Sequence, residues 1–97
     1  MNIIIKRNQP TYDTGLEVDG TPIKVRSISK NDYEFMLTLT KGAKIADVYQ
    51  FIGIILNKND AGIVFPQEEV DKLDYQTVAD LLRGYTSFLK GFASDPN

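Results

Sequence analysis

IADVYQFIGIIL (Ile45–Leu56) and YQTVADLLRGYTSFLKGF (Tyr75–Phe92) are the two stretches on which the fold turns. In the first, Ile45, Val48, Tyr49, Ile52, Ile55 and Leu56 recur at helical steps. In the second, Val78, Leu81, Leu82, Tyr85, Phe88, Leu89 and Phe92 do the same. Such spacing gathers each set on one face of a helix and predicts a helical packing unit in the second half of the chain. Opposite the stripe of the last helix stand Thr77, Asp80, Arg83, Ser87 and Lys90, an ordinary solvated face. The helix at Ile45–Leu56 is less tidy. At about 100° per residue, Ile54 falls opposite the main stripe and Phe51 on its flank. Either this helix is sandwiched inside the domain, or one side of it meets another chain.

Upstream of these helices the pattern changes to strands. Leu16, Val18, Ile23 and Val25 flank Asp19-Gly20, a pair suited to the positive φ of a tight hairpin turn. Pro22, which cannot donate to a ladder, belongs just after that turn or on an edge. The β-branched run Ile3-Ile4-Ile5 predicts a short strand at the start, and residues 8–15 read as a loop. Ser29, with Asp32 three residues on, predicts a capped helix carrying Tyr33, Phe35, Met36, Leu37 and Leu39 and stopping at Gly42. Tyr33 and Leu37 point away from Phe35 and Leu39, which poses the same question of a second face. Residues 57–62 read as a polar turn and Ile63-Val64-Phe65 as extended. Pro66 suits the first turn of a short helix through Leu73, and Asp74 the cap of the last one. The expected fold is α+β in a single domain, 1–97. A short N-terminal strand and a hairpin region (1–28) precede three to four helices forming a small bundle (29–92), with a frayed tail (93–97).

Composition narrows the function classes. The chain has 97 residues, enough for one modest core, and a net charge of −2 with acids and bases interleaved. That leaves no electrostatic footprint for nucleic acid or an anionic membrane. Its longest apolar run, Phe51–Leu56, is far too short to span a bilayer. In Met1–Arg7 the charges follow the apolar run, unlike a signal peptide. The absence of cysteine fits a reducing compartment, so a cytoplasmic address is expected.

Reactive chemistry finds little support. With no His and no Cys, a Ser–His or Cys–His nucleophile cannot be built within this chain. Residues 57–68 superficially follow a calcium loop, but neutral Asn57 would be the first ligand, Ala61 the fifth, and Pro66 interrupts it. Glu68, Glu69, Asp71 and Asp74 form an acidic run, yet acids at helix starts are expected from the helix dipole alone. No enzyme activity, catalytic residue, metal or cofactor is therefore expected. Aromatic residues at these spacings are mostly core. A surface subset, with Tyr12, Phe51 and Tyr75 as candidates, could anchor a protein partner. The residues expected to bind a partner or mediate self-association are Phe51, Ile54, Tyr33 and Leu37.

One family has a similar layout. A hairpin leads into Ile23–Tyr33, an apolar helix surrounds Val48–Ile52, and Phe65–Tyr75 leads into a final amphipathic helix. From about Val18 to Phe92 this order resembles the small tail assembly chaperones of long-tailed, siphophage-type bacteriophages and prophages. The resemblance implies a non-enzymatic protein of the host-cell cytoplasm. It would bind the tape measure protein, keep it from aggregating, and help tail tube protein assemble around it. It also implies the short form of such a chaperone, without the C-terminal extension that a frameshift appends in many phages. A homo-oligomer is compatible with the second apolar face, and neither nucleic acid nor membrane is an expected partner. Two other readings stay open: a small antitoxin or immunity-type inhibitor, and a structural virion component.

Overall fold

The computed structural model describes residues 9–39 and 42–93, for 92 and 93 the backbone alone. The strand expected at Ile3–Ile5 and the tail beyond residue 93 lie outside the described residues. Within them the protein is α+β, a β-hairpin followed by four helices. The hairpin is an antiparallel pair, β1 (Tyr12–Val18) and β2 (Thr21–Val25). Asp19 (φ 50°) and Gly20 (φ 82°) both take positive φ, the turn whose twist matches that of the strands. Along β1 half-buried and exposed residues alternate, and in β2 Ile23 and Val25 are fully buried.

The loop expected up to residue 15 is corrected by the structure: β1 already begins at Tyr12, paired with Val25. The turn-forming residues there build a bulge inside the strand, between Asp13 and Glu17. Gly15 takes φ 79° and donates its N–H to Asp13 Oδ1 at 2.9 Å, while the Thr14 hydroxyl donates to the Ile23 carbonyl at 2.8 Å. Local side-chain bonds thus meet the backbone needs that the ladder skips.

Helix α1 spans Lys30–Leu37, with Ser29 Oγ accepting the Asp32 N–H at its N-cap. It ends earlier than expected. Thr38 closes it, its hydroxyl donating to the Phe35 carbonyl at 2.6 Å, so that Leu39 lies outside the helix. Helix α2 (Ile45–Leu56) buries Val48, Phe51, Ile52, Gly53, Ile55 and Leu56. It packs against α1, α3, α4 and β2, which makes it the central helix. Helix α3 is a single turn, Gln67–Val70, with Pro66 at its N-cap rather than inside it. Helix α4 (Tyr75–Ala93) starts where Asp74 accepts both the N–H and the hydroxyl of Thr77, at 3.1 and 2.6 Å. Those bonds, the hydroxyl's foremost, hold the Asp74 carboxyl below its ordinary value of 3.8. The resulting contribution to stability is present above that value and lost as pH falls through the lowered one.

Residues 57–62 are more than a polar turn. Asn59 is buried, and its side chain donates to the Leu56 and Ile63 carbonyls and accepts from the Ala61 and Ile63 N–H groups. Asn57 likewise ties the Gly53 carbonyl to both backbone groups of Phe65. Held in this shape, the turn lies along β2: Arg26 N–H donates to the Lys58 carbonyl and Asp60 N–H to the Lys24 carbonyl, both at 3.1 Å. One edge of β2 faces β1 and the other is covered by this turn.

The core gathers Ile23 and Val25 from the hairpin with the buried faces of α2 and α4. Its anchor is Tyr85, whose ring is buried and whose hydroxyl donates to the Arg26 carbonyl at 2.7 Å. Tyr12 and Phe88 pack against it, with ring centroids 6.1 and 5.7 Å away. The approach of Tyr12 explains a helix-interior glycine: a Cβ on Gly84 would collide with the Tyr12 hydroxyl.

Candidate protein-binding groove

No residue of α1 is fully buried. Phe35 and Met36 pack against the core, Phe35 edge-on to Phe51 at 6.1 Å. The opposite flank of α1 is left to Tyr33 and Leu37, which are 39% and 50% exposed. Across from them runs α4, whose residues Tyr75, Ala79, Leu82 and Thr86 follow one another at three- and four-residue steps. Between the two helices lies an apolar groove of about 630 Å³, lined by both sets and floored by Val48 and Leu89. Small side chains open it: Ala79 on α4, and Gly42 and Ala43 in the approach to α2. Tyr75, 58% exposed, stands at one end.

The charged residues among the lining are Arg83 and Lys90, both basic, in a chain whose net charge is −2. They are seven residues apart and so share one side of α4. Arg83 is held by Asp80 at 3.1 Å, an exposed pair of adjacent helical turns. Such pairs are worth little and exchange readily with a partner's charge. An apolar floor, aromatic rims and two cations suit an amphipathic helix with a negatively charged flank, docked through residues one helical turn apart.

The expected partner-facing residues divide. Tyr33 and Leu37 line the groove. Ile54 is half-buried and lies outside it. Phe51 is corrected: it is fully buried beneath Phe35, because α1 covers the flank of α2 that the helical wheel left open. Of the aromatics expected at the surface, Tyr75 is exposed, whereas Tyr12 is half-buried between Tyr85 and Phe88. Sequence reasoning missed Arg83 and Lys90 as groove residues, since they read as solvated surface. A signal was present in the series Tyr75, Ala79, Leu82, Thr86, which forms a second, weaker stripe beside the core stripe of α4.

Among the described residues no three His, Cys, Asp or Glu side chains are grouped to hold a metal ion. Asn57 and Asn59, two of the side-chain oxygen donors of the would-be calcium loop, are engaged with the backbone of residues 53–65. No helix among the described residues is long and apolar enough to cross a membrane. Comparison with known protein families, with curated proteins and with solved structures found no match.

Proposed function

We propose that the protein is an assembly chaperone of the phage-tail type that its layout resembles, acting by binding protein rather than by catalysis. Its client is a helical segment of a long apolar protein, the tape measure protein of a tail, held in the groove between α1 and α4 until tail tube subunits assemble around it. The observation that carries this reading is the exposure of Tyr33, Leu37 and Tyr75 around an apolar groove. Large apolar side chains clustered beside a concave surface, with aromatic residues at the rim, characterise sites where a few anchors supply most of the binding energy. The lightly anchored α1 adds adaptability, because an element with no fully buried residue can shift at small cost to admit clients of different shape.

The test is co-expression with the product of the longest open reading frame neighbouring this chain's gene, scored by that product's solubility and co-purification. The expected result is a soluble complex that Tyr33→Ser combined with Leu37→Ser disrupts while the chain itself stays folded. A client that stays insoluble, or a complex indifferent to both substitutions, would overturn the reading.

A further inference from the structure

A second apolar slot, of about 350 Å³, shares no lining residue with the groove between α1 and α4. Leu16, Glu17 and Val18 of β1 form one wall and Ile63, Val64 and Phe65 the other. Each wall is three consecutive residues of extended chain. Successive side chains on extended backbone point to opposite sides, so Leu16, Val18, Ile63 and Phe65 turn toward the core, where Leu56, Val70 and Leu73 complete the lining, while Glu17 and Val64 are exposed.

Among the described residues both edges are open. In the two-stranded sheet β1 is bonded on one side, to β2. On the other wall, Asn59 and Asn57 hold the N–H groups of Ile63 and Phe65 at 3.0 and 2.8 Å. Between them Val64 is 79% exposed, and its backbone bonds to no other described residue. The segment is therefore pinned in an extended shape by side chains, outside any sheet. The charged residues of the lining are Glu17 and Glu69, both acidic. Glu69 meets Lys72 at 3.2 Å in an exposed pair, which a competing cation displaces at little cost.

We propose that this slot binds an extended segment of another protein, alternating apolar and basic residues, by adding it as a strand to the edge of β1 that no described residue occupies. The main chain of the segment bonds to β1. Every second side chain enters the apolar slot, and the intervening lysines or arginines meet Glu17 and Glu69. Strand addition of this kind takes affinity from main-chain bonds and specificity from alternate side chains.

The test uses a fluorescent eight-residue peptide of alternating valine and lysine, titrated by polarisation and followed by amide NMR shifts on the full chain. The expected result is saturable binding that shifts the amides of residues 16–18 and 64. Binding should weaken about tenfold or more, roughly 1.4 kcal/mol, when alternate peptide amides are N-methylated. It should weaken similarly in the Glu17→Lys, Glu69→Lys variant, whose substituted positions are exposed and leave the core untouched. Three results would overturn the proposal: no saturation, equal binding of the N-methylated peptide, or equal binding of a peptide with glutamate in place of lysine. Since the slot and the groove share no residue, none of these bears on client binding at the groove.

Discussion

Tyr85 joins β1, α4 and the chain leaving β2 through one side chain. Its ring packs in a mutual cluster with Tyr12 and Phe88, and its hydroxyl ties α4 to the chain leaving β2. Burial, and then the nearby Asp32 carboxylate, push the phenol above its ordinary value of 10.0. A raised value in the folded state means that the unfolded chain loses its proton first. Its stabilising effect is therefore complete below pH 10 and declines as pH climbs beyond it. Tyr85→Phe should cost about 1 kcal/mol at neutral pH for the lost hydrogen bond, and flatten the alkaline loss of stability, as read by urea unfolding at stepped pH. An equally steep alkaline decline in the variant would place the titrating group elsewhere. Asn59 shows a different residue-scale rule. It reads as turn material in the sequence, where asparagine is a common turn residue. Only the folded backbone supplies the four partners that make it a buried structural clamp.

The helices differ in how firmly they are held. Burying a large aliphatic side chain contributes about 1.5–3 kcal/mol, and α2 buries several while α1 buries none completely. Phe51→Ala should accordingly lower unfolding free energy by about 3–5 kcal/mol, a large share of the total for a domain of this size. Leu37→Ser, on the exposed flank of α1, should change it by no more than about 0.5 kcal/mol. Denaturant titration of the two variants separates these outcomes, and a similar cost at both sites would mean that α1 is as much part of the core as α2. The starts of α1 and α4 were legible because capping is local: Ser29 bonds three residues ahead and Asp74 does the same. The end of α1 and the start of β1 were not. Thr38 and Thr14 have hydroxyls that can bond to backbone in several conformations, and the neighbouring chain decides which one forms.

At the scale of the molecule, an apolar groove with two basic residues and an apolar slot with two acidic ones lie on separate sets of residues. The Tyr33→Ser, Leu37→Ser pair and the Glu17→Lys, Glu69→Lys pair should therefore act independently. Combined in one chain, their effects on client retention and on peptide affinity should equal those of each pair alone, as expected for sites without shared partners. A marked departure in a four-substitution cycle would show the two surfaces to be coupled through the core. By itself the sequence determined the α+β class, the hairpin turn at Asp19-Gly20, the caps of α1 and α4, the core stripe of α4 and that of α2 apart from Ile45, which is exposed, and the lack of a histidine or cysteine nucleophile. Each of these is set by interactions between residues a few positions apart or by composition alone. The tertiary structure decided that Phe51 is interior, that the turn around Asn59 covers the edge of β2, and that Arg83 and Lys90 wall a groove. Those outcomes depend on which element covers which face, and a helical wheel records where a side chain points but not what stands opposite it.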